Sequence, residues 1–70
     1  MRENLKKARQ DKGLTQQALA DELGINERYY KAIERGEKLG AIWVWDKLED
    51  LLGIHQRTLR ELTNIADRKR

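Results

Sequence analysis

The sequence of 70 residues contains no cysteine, no proline, no phenylalanine and no serine. Without cysteine the chain has no disulfide, no thiolate metal site and no thiol nucleophile, and without serine it has no serine triad. The single histidine, His55, cannot build a histidine metal cluster and is expected to cap a helix or to face solvent. Adjacent acidic pairs diverge on a helix, and no glycine-rich phosphate loop is present. We therefore expect no metal, no cofactor and no catalytic residue.

Long apolar runs are also missing. No stretch approaches the about 20 apolar residues that a membrane-spanning helix requires. The first residues, Met1 to Asn4, are polar and have no apolar segment behind them, so no secretory signal and a cytoplasmic location are expected. Hydrophobic and charged residues each make up 39% of the chain, which predicts one small domain with a thin core.

The net charge is only +3, but it is unevenly distributed. Residues 57–70 carry five basic and two acidic residues and end in Arg68-Lys69-Arg70, whereas residues 41–56 carry one basic and three acidic residues. We divide the chain into a folded domain, 1–66, and a basic tail, 67–70. The basic end suits a polyanionic partner, and it fits a merely solvated surface equally well.

Glycine positions and apolar spacing predict an all-α fold. The glycines at 13, 24, 36 and 53 stand where helices commonly end. The spacing of apolar residues gives helices over 2–12, 16–23 and 27–35, followed by a fourth and a fifth helix, and no strand pattern occurs. In the first helix Leu5 and Ala8 should face inward, and Arg2, Lys6 and Lys7 outward. The expected inner residues of the last two helices are Ile42, Trp45, Leu48, Leu51 and Leu52 in the fourth and Thr58, Leu59, Leu62, Ile65 and Ala66 in the fifth.

The second and third helices form the most informative segment. Thr15 and Asn26 are suitable N-caps for them, and only Gly24-Ile25-Asn26 separates them. So short a connection makes the helices cross steeply, with Ala20 at their closest approach. This arrangement predicts a helix-turn-helix, whose second helix fits the major groove of B-DNA.

The motifs Gly13-Leu14-Thr15-Gln16, Leu19-Ala20, Leu23-Gly24, Asn26, Ile33-Glu34 and Gly36, with Leu48 and Leu52-Gly53-Ile54 further on, resemble the DNA-binding domain of the Cro/phage-repressor (Xre-type) family. The resemblance covers roughly residues 4–62. It implies a compact five-helix fold like that of lambda repressor, with double-stranded DNA as partner. Tyr30, where the family usually has Val or Ile, and Gly40-Ala41, where it usually has a proline-containing entry, depart from the pattern.

The resemblance also implies roles for individual residues. Glu27 and Arg28 correspond to positions that touch base edges, and Lys31 lies beside them. Gln16 corresponds to a phosphate-clamping glutamine. Arg35 and Lys38 correspond to the helix end and following loop that contact phosphate, and Arg9 with Glu34 corresponds to a structural ion pair. Thr15 and Tyr29 are further expected phosphate contacts, although Tyr29 could instead pack on a thymine methyl.

Side-chain chemistry supports part of this assignment. The planar fork of Arg28 suits guanine O6 and N7, and Glu27 can accept from a cytosine amino group. Lys31 and Arg35 add charge that attracts phosphate without reading sequence.

The segment Trp43-Val44-Trp45 is unusual, because Trp43 and Val44 cannot both face the core that Trp45 faces. We expect a dimer interface formed by Trp43, Val44, Leu59 and Leu62; alternatively, Trp43 folds over residues 36–40. The leading hypothesis is a sequence-specific transcriptional regulator, a repressor that binds a pseudo-palindromic operator as a dimer. The alternative is a protein-binding module, such as an antitoxin or anti-repressor, with the same fold.

Overall fold

The computed structural model describes residues 1–62, which form five helices and no strands. The helices are α1 (Glu3–Asp11), α2 (Gln16–Leu23), α3 (Glu27–Arg35), α4 (Ile42–Leu52) and α5 (Gln56–Arg60). The all-α, five-helix prediction is confirmed for this part of the chain. Ile65 and Ala66 of the predicted fifth helix, the domain boundary at 66 and the tail 67–70 lie outside the described residues.

Local cap chemistry explains where α2 and α3 begin and end. The Thr15 hydroxyl accepts a hydrogen bond from the Ala18 N–H at 3.0 Å, and the Asn26 side-chain oxygen accepts one from the Tyr29 N–H at 2.7 Å. Gly24 ends α2 with a φ of +80°, a conformation in which other residues are strained. Both predicted N-caps are therefore confirmed.

A single core lies between the helices. α2 packs on α3, and α5 packs on both α1 and α4. Trp45 is the largest fully buried side chain, and its indole N–H donates to the Leu39 carbonyl at 2.7 Å. The other large apolar side chains with no exposed surface are Leu5, Leu19, Leu23, Tyr30, Ile33, Val44, Leu48 and Leu59.

The predicted inner face of α4 is wrong at two positions. Ile42 is 77% exposed and Leu51 is 38% exposed, whereas Val44 is completely buried. Val44, Leu48 and Leu52 recur every fourth residue and so lie on one side of the helix. In α5, Thr58 was expected inside and is exposed, and Leu59 alone of that helix is buried. Leu62, also expected inside, lies beyond the end of α5 and is 58% exposed.

The predicted orientation of Arg2 is also wrong. Arg2 is 3% exposed, because its guanidinium finds backbone carbonyl partners inside the fold. His55 was expected either to cap a helix or to face solvent, and it caps α5. Its Nδ1 accepts a hydrogen bond from the Arg57 N–H at 3.0 Å. None of the helices described here is long and apolar enough to cross a bilayer.

Candidate nucleic-acid interface

The helix α3 has two chemically different faces. Tyr30 and Ile33 are completely buried, Glu34 is 1% exposed, and Arg28 and Arg35 on the other face are exposed. The inner face packs on α2 and α1, so it fixes how the outer face is presented.

A buried ion pair anchors the inner face. The Arg9 Nε donates to Glu34 Oε2 at 2.9 Å, and its Nη2 donates to Glu34 Oε1 at 3.3 Å. Arg9 also donates to the Leu14 carbonyl at 2.8 Å, which ties the end of α1 to the start of α2. This is the Arg9–Glu34 pair that the sequence resemblance predicted.

Two further side chains complete the coordination of the Glu34 carboxylate. The Tyr30 hydroxyl donates to Oε2 at 2.6 Å, and the Gln16 amide donates to Oε1 at 3.0 Å. Each carboxylate oxygen thus accepts two hydrogen bonds, and no buried side-chain polar atom in residues 1–62 lacks a partner. Tyr30 fits the position usually taken by Val or Ile because its hydroxyl reaches this carboxylate.

These surroundings shift two pKa values. Burial, followed by the hydrogen bond to Glu34 and its charge, raises the pKa of Tyr30 far above the ordinary value, so the hydroxyl stays neutral. The hydrogen bond from Arg9 to Glu34 raises the pKa of Arg9 and outweighs the opposing effect of burial. The group of Arg9, Tyr30, Glu34 and Gln16 is therefore a charged but fully satisfied core element.

The outer face carries cations that differ in their partners. Lys31 lies 3.5 Å from Glu27, and Arg35 lies 3.5 Å from Glu37, in ion pairs whose side chains are 39–60% exposed. Arg28 has no acidic partner anywhere in residues 1–62. Of the cations on this face, Arg28 is thus the one whose guanidinium is not paired with a carboxylate of the described residues and is available to an external acceptor.

A shallow depression of about 280 Å³ lies beside Arg28. It is lined by Asn26, Arg28, Tyr29, Ala32 and Lys38. The Tyr29 hydroxyl, expected to contact phosphate, accepts a hydrogen bond from the Ala41 N–H at 3.1 Å. Tyr29 still lines the depression, together with the cationic side chains of Arg28 and Lys38.

The first turns of α2 and α3 carry backbone N–H groups that are available to an external acceptor. The first N–H groups of a helix have no partner within it. Thr15 and Asn26 each satisfy one of them, and the N–H groups of Gln16, Gln17, Glu27 and Arg28 bind no acceptor within the described range. Helix starts of this kind favour anions such as phosphate.

The expected dimer residues fall into two groups. Trp43 is 50% exposed with Lys47 over its ring at 5.9 Å, and Leu62 is 58% exposed. Val44 and Leu59 are completely buried, so their assignment to a surface interface is wrong. The exposed apolar residues near Trp43 are instead Leu39 and Ile42, at 64% and 77%.

Sequence reasoning missed one residue close to this surface. Arg2 donates to the Ile33 carbonyl at 2.6 Å and to the Lys38 carbonyl at 3.1 Å, so it joins the end of α3 to the segment that carries Lys38. A charged residue one position from the start of the chain gives no sequence signal for such a role. Within residues 1–62, no group of His, Cys, Asp or Glu side chains is arranged to hold a metal ion.

Two short helices joined by a three-residue turn, with the second exposing a polar face, define a helix-turn-helix protein. A family model described as helix-turn-helix matches residues 5–39, which is half of the chain. The chain belongs to this family, in its Cro/C1 (Xre) type, and its five helices agree with a fold like that of lambda repressor.

One curated relative supports the same family. Over 36 residues the chain is 56% identical to an uncharacterized HTH-type transcriptional regulator, YqaE, of Bacillus subtilis (strain 168). The match covers 51% of this chain and 31% of that protein, so the similarity spans about a third of the relative. No solved structure matches the chain.

Proposed function

We propose that the chain binds double-stranded DNA through the outer face of α3 and regulates transcription. The observation that carries the proposal is the exposure of Arg28 opposite the buried Tyr30 and Ile33. A recognition helix must present free donors on a side that its own fold does not use. Membership of the helix-turn-helix family and the similarity to YqaE, an HTH-type transcriptional regulator, support this function.

Three side chains read base edges in this proposal. Arg28 donates two parallel hydrogen bonds to a guanine, which is the commonest specific contact in the major groove. Glu27 and Lys31, now 3.5 Å apart, separate to accept from a cytosine amino group and to donate to a base acceptor. Because the ion pair between them is exposed and weak, separating the two side chains costs little free energy.

Phosphate contacts fix the helix in the groove. The N–H groups at the start of α2, beside Thr15 and Gln16, meet one phosphate. Because the Gln16 amide N–H₂ already binds Glu34, Gln16 acts through its backbone N–H and its second amide hydrogen. The other phosphate contacts in this proposal are made by Tyr29, Arg35 and Lys38.

We further propose a repressor that binds a pseudo-palindromic operator as a dimer and occludes a promoter. The second copy is assigned to the side chains of Leu39, Ile42 and Trp43, since these are exposed and apolar and lie within five residues of Lys38 in the sequence. A two-fold dimer would present its two copies of α3 to half-sites about 34 Å apart, one turn of DNA.

Selection of bound duplexes from a random pool tests the proposal. We expect a symmetric consensus, and an affinity that falls steeply with salt because phosphate contacts release counterions. Sedimentation of the complex reports the number of copies, and Trp43→Ala should reduce dimer binding without changing the affinity of one copy for a half-site. A random pool that yields no consensus, or binding that salt does not weaken, would overturn the proposal.

A second function has one observation in its favour. The apolar residues Leu39, Ile42 and Trp43 are also suited to a protein partner, as in an antitoxin or anti-repressor. Copurification of a different protein, with no retention on DNA or heparin, would favour this alternative. An antitoxin that represses its own operon would show both properties.

A further inference from the structure

The segment between α3 and α4, residues 36–41, is held in place by three side chains. The Lys38 carbonyl accepts from Arg2 at 3.1 Å, and the Leu39 carbonyl accepts from the Trp45 indole at 2.7 Å. The Ala41 N–H donates to the Tyr29 hydroxyl at 3.1 Å. The backbone of this connection is thus fixed at three residues, 38, 39 and 41, and we call residues 36–41 the clamped loop.

Arg2 makes the most extensive of these attachments. Its Nη1 donates to the Ile33 and Lys38 carbonyls, and its Nε donates to the Arg60 carbonyl at 3.0 Å. Its backbone N–H donates to the Glu34 carbonyl at 2.8 Å, and its guanidinium stands 5.3 Å from the centre of the Trp45 ring. Arg2 therefore joins the end of α3, the clamped loop and the end of α5.

The partners of Arg2 distinguish it from the other buried arginine. Arg9 binds a carboxylate, whereas Arg2 has no acidic partner in residues 1–62 and binds carbonyls and a ring. Burial, together with the charge of Arg60, lowers the pKa of Arg2. Burying an arginine without a counter-ion costs folding free energy. Its planar fork, however, can bind two carbonyls at fixed positions, which a lysine cannot do equally well.

We infer that Arg2 is a positioning residue for the DNA contact, which holds the clamped loop against the end of α3 and so presents Lys38 to a backbone phosphate without itself touching DNA. This inference rests on the proposed function. Lys38 and Arg28 line the same depression, so the position of the loop sets their separation. A loop that is ordered before binding avoids the entropy cost of ordering it on the DNA.

The test uses Arg2→Met in the full chain, because methionine keeps an unbranched, flexible side chain and removes every side-chain donor. Lys7→Met is the matched control: it removes one positive charge from α1, the helix that Arg2 precedes, at a side chain that is 79% exposed. Lys38→Ala removes the proposed phosphate contact directly. All variants are compared on the selected duplex, at a temperature at which circular dichroism finds each fully folded.

We expect Lys38→Ala to weaken binding about five- to tenfold and to lower the slope of log affinity against log salt by about 0.9, the loss of one phosphate contact. Arg2→Met should reproduce both effects, and Lys7→Met should change neither. In the double variant the two losses should not add, since Arg2 acts through Lys38. A role in folding alone would leave the salt slope of the folded variant unchanged.

Additive losses, or a folded Arg2→Met with the salt slope of the unmodified chain, would overturn the inference. If Arg2→Met does not fold, Arg2→Lys takes its place and should lower the slope partially. Amide hydrogen exchange in the free protein separates this test from the proposed function: Arg2→Met should speed exchange at Lys38 and Ala41 and not at Leu23. Unchanged exchange there contradicts the inference even if the chain binds no DNA.

Discussion

The two faces of α3 differ in how their charges are satisfied. On the inner face, the Glu34 carboxylate accepts four hydrogen bonds from Arg9, Tyr30 and Gln16 and is 1% exposed. On the outer face, Arg28 is exposed and has no acidic partner within residues 1–62. The polar groups on the inner face of this helix thus have their partners within the protein, whereas Arg28 on the outer face is available to an external partner.

This difference separates stability from recognition. Partners in the protein interior cannot be removed without leaving buried groups unpaired, so inner-face substitutions should act on folding. Groups that await an external partner contribute little to folding, so outer-face substitutions should act on binding. The same nine-residue helix therefore allows both expectations to be tested side by side.

The largest effect is expected from Glu34→Ala, which leaves the Arg9 guanidinium buried without its counter-ion. The free energy of unfolding should fall by about 3–5 kcal/mol. Urea denaturation followed by the fluorescence of the buried Trp45 measures it. Glu37→Ala is the control, because this carboxylate is 60% exposed, and its loss should cost less than about 0.5 kcal/mol. Equal effects of the two variants would contradict the difference expected between a buried and an exposed carboxylate.

Arg28→Ala should show the opposite behaviour. Binding to the selected duplex should weaken by about 1–3 kcal/mol, and discrimination at one base pair should be lost. Thermal unfolding of the free chain should be almost unchanged. Titrations on the selected duplex and on single-base variants measure both affinity and discrimination. A uniform loss on all duplexes would reassign Arg28 to a phosphate.

Tyr30→Phe removes one of the four donors to Glu34 and should cost about 1.5 kcal/mol of unfolding free energy. The loss should depend on pH, because an unfolded tyrosine ionises near pH 10 and the buried Tyr30 only at higher pH. The advantage of Tyr30 over Phe is therefore complete below about pH 10 and decreases above it. Urea denaturation of both chains at pH 8 and above pH 10 tests this, and a constant difference would contradict it.

Gln16→Ala should have the smallest effect, and it should act on both stability and DNA binding. Loss of its hydrogen bond to Glu34 should cost about 1 kcal/mol of unfolding free energy. Binding should weaken slightly and evenly over all duplexes, since a phosphate contact carries no sequence information. Denaturation and titration of the same variant distinguish the two roles. Weaker binding on only one sequence would make Gln16 a base reader.

The sequence predicted α2 and α3 well because their signals are local. The N-caps Thr15 and Asn26 and the glycine after each helix are decided within a few residues. The contrast between apolar and charged residues in α3 also fixes which side is buried. Hence the sequence placed Arg28 on the outer face of α3, whereas the pairing of Arg9 with Glu34 was predicted only by the family resemblance.

The rest of the fold depends on partners far away in the chain. In α4 apolar residues occur on every side, so spacing alone could not decide between Ile42 and Val44. Arg2 was placed outside because it is charged, yet carbonyls 31 and 58 positions away receive its hydrogen bonds. The link from Tyr29 to Ala41 is likewise a tertiary contact without a sequence signal.

DNA should contact the outer face of α3, and amide chemical-shift mapping can locate that contact residue by residue. On titration of the labelled chain with the selected duplex, the largest shifts should occur at Gln16, Glu27, Arg28, Lys31 and Lys38. Amides of the core residues Leu5 and Leu48 should move little. Large shifts confined to α4 and α5, with the amides of Arg28 and Lys31 unmoved, would show that DNA does not contact α3.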